Sequence, residues 1–353
     1  MLSEAFPSNH REDPLMSKPL PSAMTGCPCH AVTAPAAPTA PESPGAPSPP
    51  LDPLLDPQLC MRPPGEPLPA PLRDHGGPLA AIFTRWLRQR DDDAHAPQKA
   101  TLTRALLALS EDEVRSHTRR QAAIAMLAGW SHWSWAVPAS TVASLLGLPI
   151  ADLEAQRALH ADLRAMAAGL GATADAAAVQ AAGRAVASLL DALDDAERRA
   201  PDAPLQWALL RHAPPERWSD RATFTANRLA LIWQSHEAGA ALLGHAVMSW
   251  SRTGEVPSRE ALMRLAREGG AVRVTRRFDV RDDPPRAVTV PLAHTDTPFG
   301  DGAHRCPGQG LALSTAQIAM AWLAEQSDLS PPVAIAPLSL PNMDIPQFQE
   351  STP

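Results

Sequence analysis

The pattern of apolar positions predicts a mostly helical fold from residue 76 onward. Alanine and leucine recur there at intervals of three and four, which places them on one face of a helix. This periodicity predicts helices at 78–89, 101–109, 112–129, 139–146, 150–169, 172–199, 221–250, 258–268 and 309–326. Residues 272–280 and 287–292 alternate and are rich in β-branched side chains, so they predict two short strands around an Asp-Asp-Pro-Pro turn.

The first 75 residues have a different composition. Of the 39 prolines in the chain, 19 precede Leu72, in a segment of Ala, Pro, Ser and Thr with few large apolar residues. Such a segment cannot bury enough apolar surface to offset the entropy lost on ordering. We therefore predict a proline-rich, disordered arm over residues 1–75 and one folded domain over residues 76–353.

Charge and hydropathy exclude several classes of partner. The net charge of −7 argues against general nucleic-acid binding. The chain has no basic start followed by an apolar run, and no apolar run reaches the roughly 18 residues of a membrane span. We expect a cytoplasmic protein with no nucleic-acid partner and no membrane contact.

One cysteine in a glycine-rich turn carries the strongest chemical signal. Cys306 lies just before the predicted helix at 309–326, after two glycines that tolerate positive φ, Gly300 and Gly302. Free N–H groups and the dipole at a helix start lower the pKa of a thiol and stabilise its thiolate. A thiolate is a strong ligand for haem iron. A buried cysteine in an ordinary loop-to-helix turn is the alternative.

The whole spacing of this loop, F-G-x-G-x-H-x-C-x-G, resembles the haem-binding loop of the cytochrome P450 family. The resemblance implies a mainly α, P450-like helical haem domain with reduced β content. It implies haem b as the cofactor, with Cys306 as the proximal metal ligand and Phe299 shielding its sulfur. Three more loop residues are expected to contact the cofactor: Gly300, His304 and Gly308. Of these, His304 is expected to reach a haem propionate.

The two haem propionates need cations or hydrogen-bond donors nearby, because uncompensated carboxylates are costly to bury. His95 and Lys99 are four residues apart on one helical face, and they resemble a His and a basic residue of the family's helix C. A solvated surface pair is the alternative. The second propionate contact is expected from Arg273, Arg276 or Arg277, among which the sequence does not choose.

Residues 231–244 resemble the distal helix that crosses the haem face opposite the thiolate. By this resemblance Glu237 is the carboxylate of an acid-alcohol pair that delivers protons, and Ala238 stands where the alcohol is expected. Small residues at 238–240 would leave room for a ligand above the iron, and Ser235 or His236 could replace the hydroxyl through a water. An ordinary core helix with an incidental Glu is the alternative.

Two further features depart from the family pattern. The family's E-x-x-R brace resembles residues 258–277, but Ala261 occupies the Glu position when Arg264 is aligned. Glu260 is one residue away, about 100° around the helix, so it can reach Arg264 without reproducing the usual network. The strand-rich lobe that precedes His95 in the family is replaced here by the proline-rich arm.

The resemblance implies a haem-thiolate monooxygenase that hydroxylates a small or medium apolar substrate with dioxygen. Electrons would come from a separate ferredoxin or reductase, because the chain has neither a dinucleotide-binding glycine motif nor iron–sulfur cysteine spacing. Two alternatives follow from the departures. One is a divergent haem-thiolate protein with other chemistry, such as the use of peroxide; the other is a haem-binding accessory protein.

Overall fold

Helices form most of the described chain, as the mainly α expectation requires. The computed structural model describes residues 52–63, 65–326 and 328–349. Within these ranges the helices are α1 (Ala70–His75), α2 (Gly77–Phe83), α3 (His95–Leu107), α4 (Glu111–Met126), α5 (Trp130–Leu145), α6 (Leu153–Gly169), α7 (Ala176–Arg199), α8 (Pro204–His212), α9 (Arg221–Thr253), α10 (Arg259–Arg267) and α11 (Gln309–Ala324). Among the described residues, no helix combines the length and apolar character that crossing a bilayer requires.

All nine predicted helices are present, with shifted ends. The largest shift is in α5, which begins at Trp130 rather than at residue 139, because Pro138 lies inside the helix instead of before it. Proline costs one intrahelical hydrogen bond, but burial of Trp130 and Trp133 holds the preceding turns in place. The periodicity missed α1 and α8, two short helices that each carry a proline in the first turn.

Helix α9, 33 residues long, packs against α2, α5, α7, α10 and α11. The Asp220 carboxylate caps its start by accepting a hydrogen bond from the Thr223 N–H at 2.6 Å. Gly254, with a φ of 72°, ends it. Where α9 crosses α5, a Cβ on Gly239 would lie 2.5 Å from the Cβ of Pro138, so only glycine permits this approach.

The buried apolar side chains form two large clusters that α5 and α9 both enter. One cluster joins α2, α3, α6, α7 and α8 to the second half of α5 and the first part of α9, as far as Ile232. The other joins α4, α10 and α11 to the first half of α5 and to α9 from Leu242 onward. The middle of α9, residues 233–241, therefore lies between the two clusters, and Glu237 is in this middle part.

The strands form two small antiparallel sheets. β1 (Leu59–Cys60) pairs with β2 (Val274–Asp279), which pairs with β3 (Arg286–Pro291); this hairpin confirms the two predicted strands. β4 (Ala334–Leu340) and β5 (Met343–Phe348) form the second sheet. It was not predicted, because prolines inside both segments argue against strands. The register shift between Ile335 and Leu338 accommodates Pro337.

Residues 52–63 and 65–75 belong to the folded part of the chain, which therefore begins before the boundary predicted at residue 76. Leu54 and Leu72 are 8% and 0% exposed, and β1 is part of the first sheet. A Cβ on Gly302 would lie 2.8 Å from Cδ2 of Leu55, so this segment packs against the cysteine loop. The N-terminal strand expected to be lost is thus retained as a two-residue β1. The predicted disorder of residues 1–51 lies outside the described residues.

Candidate functional site

The loop before α11 holds Cys306 in a closed turn. Gly300 and Gly302 have positive φ values of 76° and 59°, which agrees with the prediction that these positions need glycine. The Cys306 N–H donates a hydrogen bond of 2.9 Å to the carbonyl of Phe299, closing the turn. The Phe299 ring is half-buried and packs against the cluster that includes α10 and α11.

Burial, rather than the helix start, dominates the acidity of Cys306. Burial raises the pKa of its thiol; a hydrogen bond from the Gly308 N–H and then the charges of Lys99, Arg88 and Arg305 lower it in part. The expected contribution of the helix start is present, but it is outweighed. Cys306 nonetheless keeps accessible surface. Both observations are satisfied when the sulfur borders a cavity inside the protein.

The predicted cofactor-binding residues His95, Lys99 and His304 come together beside the loop. The ring of His95 stacks on that of His304 with centroids 4.5 Å apart, and the Lys99 ammonium donates to the carbonyl of Ala303. His95 is buried, and burial together with the charges of His304 and Lys99 lowers its pKa to about 4. Burial also lowers the pKa of His304, against the opposing effect of Asp91. His95 is therefore neutral near pH 7.

Asp91 was not predicted as a site residue, and it ties three segments together. Its Oδ1 lies 2.6 Å from Nε2 of His304, and its Oδ2 accepts a hydrogen bond of 2.7 Å from the Met61 N–H. The pKa of Asp91 is lowered because these hydrogen bonds and the charge of Arg277 outweigh the effect of burial. In the sequence Asp91 is the first of three consecutive aspartates, so nothing local distinguishes it.

Of the three candidate arginines on β2 and just before it, only Arg277 faces this cluster. Arg273 forms an ion pair with Asp344, and Arg276 is exposed with its guanidinium 5.1 Å from the ring centroid of Phe278. Arg277 is 4% exposed and donates to the sulfur of Met61. Arg273 and Arg276, the residues predicted to contact the cofactor, thus have other partners, whereas alternation along the strand turns Arg277 inward.

The groups around Cys306 fit a haem. A thiol that borders an internal cavity supplies the sulfur ligand that haem iron takes in such proteins. Nε of Arg277 is buried and has no hydrogen-bond acceptor among the described residues. A buried donor of this kind normally has a partner, and a propionate oxygen would provide one. Lys99 and the neutral imidazole of His95 add further donors on the same side, whereas Nε2 of His304 is hydrogen-bonded to Asp91.

Glu237, in the middle of α9, is half-buried. Burial raises the pKa of Glu237, and the charge of Arg88 partly offsets this effect. His236 points elsewhere, since it is 1% exposed and its Nε2 lies 2.9 Å from Nδ1 of His160 on α6. The suggestion that His236 could replace the missing hydroxyl is therefore not supported. The Oγ of Ser235 donates within its own helix, to the carbonyl of Ile232.

The small residues at 238–240 were expected to leave room for a ligand above the iron, but two of the three are used in packing instead. Gly239 packs on Pro138, and Ala240 is completely buried beside Met343 and Ile345. Ala238 remains partly accessible, and its methyl group offers no proton. Ala238 is therefore the position at which the expected hydroxyl group is missing.

Helix α10 lacks the ion pair expected at the E-x-x-R position. Glu260 accepts a hydrogen bond of 3.0 Å from Ser258, the residue that caps α10. Arg264 is exposed. Gln309 at the start of α11 instead contacts Met263 of α10, with 3.6 Å between Nε2 and Sδ. The support beneath the cysteine loop therefore differs from the family pattern, as the displaced glutamate predicted.

Comparison with solved structures identifies the fold. The chain is similar to P450BioI, solved in complex with hexadec-9Z-enoic acid ligated acyl carrier protein, with a TM-score of 0.63 and 15% identity over 84% of this chain and 87% of that chain. It is also similar to CYP109B1 from Bacillus subtilis (TM-score 0.58, 16% identity, 80% and 90% covered). Myxobacterial CYP267B1 in complex with myristic acid gives a TM-score of 0.60 and 22% identity, with 84% and 85% covered.

No protein-family profile and no curated protein matches the sequence. At 15% to 22% identity the similarity to these structures establishes the fold rather than an activity. The chain therefore has the cytochrome P450 fold, with Cys306 in the loop that precedes its last helix.

Proposed function

We propose that this protein is a haem-thiolate monooxygenase of the cytochrome P450 type. The observation that carries the proposal is the position of Cys306 in this fold: its accessible thiol lies in the glycine-rich turn before α11, near the buried Nε of Arg277, which has no hydrogen-bond acceptor among the described residues. The glycines at 300 and 302 and the closing hydrogen bond to Phe299 hold the turn in that conformation.

In this proposal each side of the cavity has a separate task. Cys306 ligates the iron of haem b, and Lys99, Arg277, His95 and His304 hold the propionates. When bound, a thiolate-ligated haem supplies the capacity to activate dioxygen or peroxide for insertion of oxygen into a substrate. Asp91 keeps the His304 ring in place through its hydrogen bond, as outer partners of a cofactor contact commonly do.

Glu237 is the proton-handling group that we assign on the distal helix. Since burial raises its pKa, Glu237 holds a proton at its carboxyl group at a higher pH than an exposed glutamate does. Ala238 cannot pass that proton on, so an ordered water has to take the place of the missing hydroxyl. The substrate is a small or medium organic molecule with an apolar body, and a separate ferredoxin or reductase supplies the electrons.

Ala238 also favours a second candidate function, the use of peroxide in place of dioxygen and electrons. Peroxide brings both oxygen atoms already reduced, so it requires fewer proton deliveries from the distal helix than dioxygen does. The absence of the distal alcohol would therefore reduce turnover less with peroxide than with dioxygen.

The cofactor assignment is tested by the absorption spectrum of purified, reduced protein under carbon monoxide. A strongly red-shifted Soret band is expected, and Cys306→Ser should abolish it. Cys60→Ser is the matched control, because Cys60 lies in β1, where its thiol donates to the carbonyl of Arg62, and it should keep the band. Purified protein that takes up no haem from solution would overturn the proposal.

The two oxidants are compared by turnover of one apolar substrate, first with a reductase, a ferredoxin and dioxygen, then with hydrogen peroxide. For a monooxygenase, we expect Ala238→Thr to raise the fraction of electrons that end in product. If the native protein turns over only with peroxide, and Ala238→Thr leaves dioxygen coupling unchanged, the second candidate is the correct one.

A further inference from the structure

Arg88 is a cation inside the protein that lacks a partner. It lies in the short 3-10 turn Leu87–Gln89. Within the part of the chain that the structure describes, its guanidinium makes neither a hydrogen bond nor an ion pair. Burial is the main cause of its lowered pKa, yet the residue keeps accessible surface, so it borders an internal cavity. An unpaired interior charge is costly, which indicates that an anion from outside the chain completes it.

The segment that carries Arg88 is fixed to helix α9 by hydrogen bonds. The Asn227 side chain accepts from the Leu87 N–H at 3.0 Å and donates to the carbonyl of Arg85 at 2.9 Å. Between these two residues the ring of Trp86, fully buried, stacks on Trp233 with centroids 5.0 Å apart and planes within 16°. The backbone on which Arg88 sits is therefore held in place before any ligand binds, which limits the entropy lost on binding.

Two groups locate the guanidinium of Arg88 relative to the rest of the site. Cys306 and Glu237 are the groups whose negative charges act on its guanidinium, and neither is in direct contact with it. Glu237 belongs to the middle of α9, and Cys306 belongs to the loop on the proximal side. Arg88 therefore reaches the cavity from its edge, in the space between the distal helix and the cysteine loop. A carboxylate that enters this space can accept two hydrogen bonds from the guanidinium.

The propionates have other partners. Lys99, His95, His304 and Arg277 form one contiguous group, linked by the stacking of the two imidazoles and by Asp91. This group supplies two full cations, Lys99 and Arg277, and the neutral donor of His95 for two carboxylates. Arg88 is a third cation: its charge acts on Arg277 of this group, and it also acts on Glu237 of the distal helix.

Building on the proposed function, we propose that Arg88 is the specificity-determining residue of the substrate site and that it selects substrates with a carboxylate. The guanidinium holds that carboxylate at the edge of the cavity, so the apolar remainder of the molecule lies along α9. The substrate class is therefore an apolar molecule with one acidic end, rather than a neutral hydrocarbon.

The test compares two ligands of equal chain length, dodecanoate and dodecanol, by titration calorimetry on haem-loaded protein. Charge-assisted hydrogen bonds contribute about 1.5–3 kcal/mol, so Arg88→Gln should weaken dodecanoate binding about 10-fold to 150-fold and leave dodecanol binding unchanged. Arg88→Lys should restore part of the difference, since it keeps the charge. Arg85→Gln is the matched control, because Arg85 pairs with Asp220 at the surface; it should bind both ligands as the native protein does.

Two results would overturn the inference. One is equal binding of acid and alcohol by native protein and by Arg88→Gln. The other is faster transfer of haem from Arg88→Gln to apomyoglobin with dodecanoate affinity unchanged, which would make Arg88 a propionate contact. The carbon monoxide spectrum is recorded on the same preparation. If the red-shifted band is missing while Arg88 still discriminates acid from alcohol, the haem-thiolate function fails and the substrate class stands.

Discussion

We expect Asn227 to contribute more to the free energy of unfolding than other polar residues of α9, because its side chain links α9 to the backbone of residues 85–87. Replacement by alanine removes the acceptor of the Leu87 N–H and the donor to the Arg85 carbonyl. It also removes the hydrogen bond of 2.8 Å to the carbonyl of Thr223 in the same helix. The other interactions of the segment, including the stacking of Trp86, remain.

The size of the loss follows from which groups stay unpaired. Leu87 is 6% exposed, so its N–H cannot turn to water and costs about 1–3 kcal/mol when unsatisfied. The hydrogen bond to the more exposed Arg85 carbonyl is worth about 1 kcal/mol. Alanine recovers about 0.5 kcal/mol through its better helix propensity. We expect a net destabilisation of about 1.5–3.5 kcal/mol, or a fall in Tm of about 3–14 °C.

Urea unfolding of the haem-loaded protein, followed by far-ultraviolet circular dichroism, measures this loss. Thr225→Ala is the control: Thr225 is on the same helix, 9% exposed, and its hydroxyl donates only to the carbonyl of Arg221. It should lose clearly less stability than Asn227→Ala. Equal losses for the two variants would refute the idea that Asn227 fixes the segment before Arg88.

Two other perturbations test the centre of the fold. Gly239→Ala forces a Cβ to within 2.5 Å of Pro138 and should lower the free energy of unfolding in urea by about 1–3 kcal/mol. A Cβ at Gly310 has no atom within 4 Å, so Gly310→Ala should leave stability unchanged or raise it. Equal effects of the two substitutions would contradict the packing argument. Burial lowers the pKa of His236 to about 3 and of His160 to about 4, so at mildly acidic pH the unfolded chain binds protons that the folded chain does not. Stability should therefore be complete above about pH 6.5 and fall toward pH 4, and His236→Gln should reduce that fall; an unchanged pH profile in this variant would show that the pair does not titrate as inferred.

The sequence could predict the parts of the site that depend on local spacing. The positive φ values at Gly300 and Gly302 and the one-sided placement of His95 and Lys99 on α3 follow from a few neighbouring residues. The hairpin of β2 and β3 follows in the same way from alternation and a proline turn. Local periodicity does not depend on the rest of the fold, so these predictions needed no knowledge of tertiary contacts.

Features that depend on long-range contacts could not be predicted. Which of Arg273, Arg276 and Arg277 turns inward depends on the side of the sheet that faces Asp91 and His304, and the sequence does not state it. β1 has two residues, too few for a periodic signal, and exists because β2 offers an edge. The orientation of His236 is determined by His160 on α6, 76 residues away.

The segment 84–94 between α2 and α3 joins these observations, because it carries both charges that sequence reasoning missed. Arg88 reaches the cavity beside Glu237, and three residues later Asp91 turns to His304 and to the Met61 N–H. In an extended backbone, three residues span at most about 11 Å, so neither contact can move far without the other. The carboxylate therefore orders the cysteine loop and the N-terminal strand, and the same short segment presents the guanidinium to the substrate side. Asp91 thus supports retention of the cofactor and Arg88 the choice of substrate. Because the two tasks depend on different side chains, a substitution at Arg88 can change substrate choice without loss of the cofactor.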